Sequence, residues 1–119
     1  MAAPRIVSFR DSVEAQSSAP EAERLLSGNP RLTVRNHYAD GGNQFFAGVW
    51  EATRGAWRVR YTEHEFCHLL SGRIVITSET GDRQEFSAGD SFVIPSGFAG
   101  TWEVVEDCRK LYAIFEPPR

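Results

Sequence analysis

The sequence predicts an all-β domain, a sandwich or barrel. Two observations predict it. From Arg31 onward, short β-prone runs recur at nearly even spacing, separated by turns built on Gly with Asp, Asn and Pro beside it. Within the runs, side chains alternate with the period of two that lets a strand bury one face. A third observation sets the domain count: no repeat, low-complexity tract or linker interrupts the chain, so one domain is expected.

Residues 1–30 read as an N-terminal arm and short helix of that same domain, and residues 31–119 as its barrel. Ile6–Phe9 could add a strand to a sheet edge. Pro20–Ser27 predicts a short helix, with Pro20 at the first helical position, Glu21 and Glu23 in the first turn, Leu25 and Leu26 late, and Gly28 as the stop. Asn29-Pro30 then breaks the chain. Strands are predicted near Leu32–His37, Phe45–Glu51, Ala56–Tyr61, Glu65–Leu70, Arg73–Ser78, Gln84–Phe86, Ser91–Ile94, Thr101–Val105 and Lys110–Phe115. Trp57, Val59 and Tyr61 share an apolar, inward face, with Arg58 and Arg60 opposite. In the next strand Glu65, Cys67 and Leu69 share one face, and His64, Phe66, His68 and Leu70 the other.

A hydrophobic fraction of 41% supports one core. The net charge of −3 is spread along the chain with no basic block, which argues against nucleic-acid binding. Apolar runs fall far short of a membrane span. The N-terminus, MAAPRIVSFRDS, shows no apolar signal-peptide region, so a cytoplasmic location is expected. Cys67 and Cys108 do not make a disulfide framework and read as buried thiols.

The stretch from Glu65 to Gly97 adds spacing to pattern. Glu65-x6-Gly72 and Gly89-x5-Pro95-x-Gly97 match the frame of the two cupin motifs, G-x5-H-x-H-x(3,4)-E-x6-G and G-x5-P-x-G-x2-H-x3-N. From Asn36 to Phe115 the chain resembles a cupin, which implies an RmlC-like jelly roll, a double-stranded β-helix barrel. Three features, Glu65-Phe66-Cys67, Gly97-Phe98-x-Gly100-Thr101-Trp102-Glu103 and Arg109-Lys110-x-Tyr112, resemble small single-domain cupins grouped with ureidoglycine aminohydrolase, many of which have no established activity.

The ligand positions depart from the motif. Counting back from Glu65, the motif histidines fall on Val59 and Tyr61, or on Arg58 and Arg60 in the longer register. The second-motif histidine falls on Gly100, and the asparagine on Val104. Glu65 alone remains, whereas transition-metal sites usually need three or more protein ligands. No cofactor is therefore expected, and a noncanonical divalent-metal site would have to recruit His37, His64 or His68.

Replacing ligands by Val59, Tyr61 and Gly100 predicts an aromatic cavity around one carboxylate, lined by Trp57, Val59, Cys67, Phe98, Gly100 and Trp102. Gly100 would leave room for a ligand. A buried Glu65 would have a raised pKa unless a cation or several donors face it, which suits acid–base work, with Tyr61 assisting. Cys67 reads more readily as a small buried hydrophobe than as a nucleophile. The Asp107–Lys110 run and Arg58 and Arg60 read as solvated faces or partner contacts. Phe66, Leu70 and the Ile6–Phe9 segment suggest a homodimer.

Two functions of different kinds follow. One is a metal-independent acid–base enzyme acting on a small polar metabolite through Glu65 and Tyr61. The other is a nonenzymatic module that binds or senses a small ligand. A metal-dependent enzyme of the aminohydrolase type and a purely structural oligomeric role remain open beside them.

Overall fold

The computed structural model describes residues 3–118. Nine strands form: β1 (Gln16–Ser18), β2 (Leu25–Gly28), β3 (Leu32–Ala39), β4 (Phe45–Ala52), β5 (Gly55–Arg60), β6 (His64–Ser78), β7 (Arg83–Ser87), β8 (Ser91–Ile94) and β9 (Ala99–Phe115). They make one sheet that curls over into a half-barrel. The all-β expectation is met. No helix forms among the described residues, so none is long and apolar enough to cross a membrane.

Two long strands organise the curl. The sequence reads each as two short ones. β9 pairs with β6 along nearly its whole length, with β4 through its C-terminal half and with β5 through its N-terminal half. β6 in turn takes β8 on its first half and β7 on its second. One leaf of the curl is therefore β1-β3-β4-β9-β6-β8, and the other is β2-β5-β9-β6-β7. Strands that switch leaves must bend, and bulges provide the bend. The β6–β9 register shifts between Leu69 and Ile74. Gly72 sits there with φ of +89°, and a Cβ on it would press on Asp107 and Cys108 of the corner in β9. That is why the first motif carries glycine at this position.

The second-motif turns clamp onto β6 and onto the segment that leads into it. Leu69 exchanges backbone hydrogen bonds with Gly89 and Asp90 (2.8 and 2.9 Å), and Tyr61 does so with Gly97 and Phe98 (both 2.8 Å). Between the leaves, Trp57, Leu69, Ile74, Ile76, Ile94, Trp102, Val104 and Cys108 form the buried core. Cys67 and Cys108 are free, buried thiols.

The N-terminal helix does not form. The segment makes one turn, in which the Arg24 and Leu25 amides donate to the Glu21 carbonyl (2.9 and 3.1 Å), and then extends as β2. Helix nucleation is costly, and eight residues offer little propagation to offset it. Pairing Leu25 with Trp57 instead covers the open edge of β5. Nor is Ile6–Phe9 a strand, since Gln16–Ser18 takes the edge of β3. Phe9 instead stacks on His37, ring centroids 4.5 Å apart.

Candidate functional site

A cavity of about 540 Å³ opens between the two leaves. Its floor comes from period-two positions on strands that face one another: Val34 and Asn36 of β3, Phe46 and Trp50 of β4, Trp57 and Val59 of β5, and Trp102, Lys110, Tyr112 and Ile114 of β9. Tyr61, just past the end of β5, and Glu65, at the start of β6, join them. The three tryptophans pack together, with Trp50 edge-on to Trp102 (5.3 Å) and Trp57 stacked beside Trp102 (6.3 Å). Arg24, Arg58, Arg60 and Glu63 edge the opening.

At the floor lies a buried ion pair. Lys110 Nζ donates to Glu65 Oε2 at 2.8 Å, with Lys110 3% and Glu65 5% exposed. The same ammonium lies 3.4 Å from Cys67 Sγ and 4.5 Å from the ring centres of both Trp50 and Trp102. An isolated charge could not be buried here, since desolvation costs several kcal/mol or more. A carboxylate, a sulfur and two π faces together offset that cost. Burial, the largest single influence, pulls the Lys110 ammonium down, but the charges and hydrogen bonds of Glu65 and Cys67 together more than reverse it, leaving lysine above its ordinary value.

The neighbouring acids are shifted the other way from ionisation. Burial, with Glu65 adding, holds the Tyr61 phenol well above its usual 10. Burial pushes the Cys67 thiol up to about 12 against the pull of Lys110. Burial also takes Tyr112 to about 12. These groups therefore stay neutral at pH 7 and can serve as donors, while Cys67 is a poor nucleophile. The Tyr112 hydroxyl donates to Asn36 Oδ1 at 2.7 Å. Gly48 makes that reach feasible, because a Cβ there would meet the Tyr112 hydroxyl at 2.6 Å.

Of the residues the sequence singled out, Trp57, Val59, Tyr61, Glu65 and Trp102 line the cavity together. Cys67 lies behind Lys110, and Phe98 packs edge-on against Tyr61 at 6.3 Å, neither forming its lining. Gly100 does not open space for a ligand. It pairs with Val59 and Ser78, and a Cβ there would collide with the Thr77 carbonyl oxygen, so glycine serves the close approach of β6 and β9. The cation that faces Glu65 is Lys110. His64 and His68 stay outside the cavity, bonded to the Ser96 amide (3.1 Å) and the Ser91 hydroxyl (2.8 Å).

Lys110 overturns the reading of residues 107–110 as a solvated run. Asp107 and Arg109 are exposed, but Cys108 and Lys110 are buried. Lys110, Trp50, Tyr112 and Asn36 are the site residues that sequence reasoning missed. One signal was available. Lys110-x-Tyr112 keeps the even parity of Trp102 and Val104, so both face the core if the strand continues.

The cupin frame implies a metal, and the donor set does not fit one. The remaining motif carboxylate is engaged by an ammonium, and the other ligand positions carry Val59, Tyr61 and Gly100. Among the described residues no group of three or more His, Cys, Asp or Glu side chains converges.

Residues 39–112 match the EutQ-like cupin domain family. The fold is similar to a protein of unknown function from Pseudomonas syringae pv. tomato (TM-score 0.79, 24% identity), over 91% of this chain and 46% of that one. The chain thus spans about half the length of that protein. It is also similar to an ethanolamine utilization protein Q of Salmonella typhimurium (TM-score 0.67, 14% identity, 91% of this chain and 100% of that one). The EutQ protein of Clostridium difficile is a third (TM-score 0.66, 19% identity, 83% and 74%). No curated protein matches the chain.

Proposed function

Since this chain belongs to the EutQ-like cupin domain family, we propose that it uses the cupin scaffold as a metal-independent acid–base site for a small polar metabolite. One observation carries the proposal: the Lys110–Glu65 pair, 2.8 Å apart, in the wall of an aromatic cavity. A volume of about 540 Å³ suits a small molecule. Glu65 would accept a proton from the substrate and return it. The Lys110 ammonium would face the oxygen on which negative charge develops, and the neutral Tyr61 phenol would donate a hydrogen bond. Isomerisation, elimination and amide-type hydrolysis all fit this division of labour. No step is routed through a metal, because the donor set does not fit one.

The finer kinship with the ureidoglycine aminohydrolase group belongs to the same proposal. Its support is that Lys110 and Tyr112 of the Arg109-Lys110-x-Tyr112 feature both line the cavity. A cytoplasmic location is proposed on the two free, buried thiols.

The test combines a ligand screen by thermal shift with turnover assays on the compounds that stabilise the fold. Glu65→Gln should abolish turnover while preserving some stabilisation. Full turnover in that variant would remove Glu65 from the chemistry. A second reading, the nonenzymatic binder, is favoured by one feature: the Lys110 ammonium is already satisfied by Glu65, Cys67 and two indoles. Stabilisation by ligands without any turnover selects it.

A homodimer is proposed as well. An apolar row crosses the convex face of the sheet from Phe45 through Phe115 and Phe66 to Val93, all at least 41% exposed.

A further inference from the structure

We propose that the cavity takes a flat organic carboxylate, its apolar body against the indole wall and its anionic group at the arginine rim. The inference rests on the small-molecule reading above and names the ligand class for that site. Charge at the opening runs against the charge of the whole chain. The protein is net −3, yet the cavity borders carry Arg24, Arg58, Arg60 and Lys110 against Glu63 and Glu65. The Lys110–Glu65 pair cancels internally, which leaves three guanidinium groups facing one carboxylate.

Those guanidiniums are available. Arg24 reaches Glu21 at 4.0 Å and Arg60 reaches Glu79 at 3.7 Å, both across exposed side chains. Exposed pairs of this kind are weak and exchange readily for a better-placed anion. Arg58 forms no ion pair among the described residues, and its contact is the Glu23 carbonyl at 3.5 Å. Arginine offers two parallel N–H donors, the geometry a carboxylate accepts. Trp50, Trp57 and Tyr61 provide π surface, which favours a planar body over a saturated ring of equal size.

The chain contains three tryptophans, and all three border the cavity, so intrinsic fluorescence reads its occupancy directly. The probes are benzoate, benzamide (same ring, no charge) and cyclohexanecarboxylate (same charge, no π face). Benzoate should give a saturable change with affinity about tenfold above benzamide, as a charge-assisted contact exceeds a neutral one, and severalfold above cyclohexanecarboxylate, which keeps the charge but loses the aromatic contact. Raising salt should shrink the advantage over benzamide, because the rim is exposed. In the Arg58→Ala/Arg60→Ala variant that advantage should fall to about twofold or less, with benzamide binding unchanged. Equal affinity for benzoate and benzamide in the wild-type protein, or an advantage that survives in the variant, would overturn the carboxylate assignment and leave the cavity reading intact. Equal affinity for cyclohexanecarboxylate overturns the requirement for a flat body. No saturable change with any probe also overturns the inference. The acid–base reading is judged separately, by the Glu65→Gln turnover assay.

Discussion

Lys110 Nζ and Glu65 Oε2 meet at 2.8 Å between side chains that are 4% and 7% exposed. Removing one partner leaves the other charge buried and unpaired, which costs about 3–5 kcal/mol, whereas replacing both by apolar groups of similar size is often near neutral. Lys110→Met and Glu65→Leu should therefore each lower stability by roughly that amount. The double variant should recover most of the loss. Urea denaturation of all four proteins checks this, and additive losses would show that the pair is not coupled.

Stability should fall at alkaline pH. Lys110, Tyr61, Cys67, Cys108 and Tyr112 all have folded values above their ordinary ones, with Cys67 and Tyr112 at about 12 and Cys108 at about 11. Between the ordinary and the folded value, the unfolded chain has lost a proton that the native chain still holds. The native state then binds more protons, so unfolding becomes easier as pH rises. Stability is fully present below the ordinary thiol value of 9.0 and is lost progressively toward 12. Denaturant melts from pH 7 to pH 11 should show a plateau and then a decline that begins near pH 9. Cys67→Ala should flatten the early part of that decline. A profile that stays level to pH 11 would contradict these shifts.

Gly100 separates a packing role from a binding role. A Cβ at this position would collide with the Thr77 carbonyl, and the backbone of β6 has nowhere to retreat. Gly100→Ala should destabilise the fold by about 1–3 kcal/mol or more, the range for overpacking. Ligand affinity measured on the fraction that folds should be unchanged, because Gly100 does not border the cavity. Loss of affinity without loss of stability would restore the sequence expectation that this glycine makes room for a ligand.

Local rules made the frame legible and left the centre of the site obscure. Glu65-x6-Gly72 and Gly89-x5-Pro95-x-Gly97 are turn and bulge signals, set by backbone angles that a sequence displays directly. Alternation placed Trp57, Val59, Tyr61, Glu65 and Trp102 together, since each lies on a strand, or for Tyr61 directly after one, whose face is clear from its neighbours. Lys110 was hidden by long-range pairing. Even parity from Trp102 points Glu106, Cys108, Lys110 and Tyr112 inward alike. The β6–β9 register shifts beside Glu106 and lets it face solvent. Only the register that sets Leu69 opposite Lys110 and Glu65 opposite Ile114 shows that a carboxylate waits for the lysine. The Pro20–Ser27 helix failed for a related reason. Its capping and charge pattern is genuine, but the open edge of β5 outcompetes a single helical turn.

The convex face supplies the last prediction. Phe45 pairs with Phe115, Phe115 with His64, and Phe66 with both Ala113 and Val93, so one band runs across four strands. Tyr38 extends it through its contact with Phe45 at 5.9 Å. Phe45, Phe66, Val93 and Phe115 are 41–60% exposed, and no Lys, Arg, Asp or Glu lies among these band residues. Contiguous apolar surface with charge kept to the margin is the composition of an interface core. A second copy of the chain fits it, because a two-fold axis presents the same band to itself. Sedimentation should find the wild-type protein dimeric and the Phe66→Glu/Val93→Glu variant monomeric. The circular dichroism spectrum should be unchanged, since both side chains are exposed in the single chain. A wild-type monomer at micromolar concentration would remove the dimer, and a variant that stays dimeric would move the interface to another face.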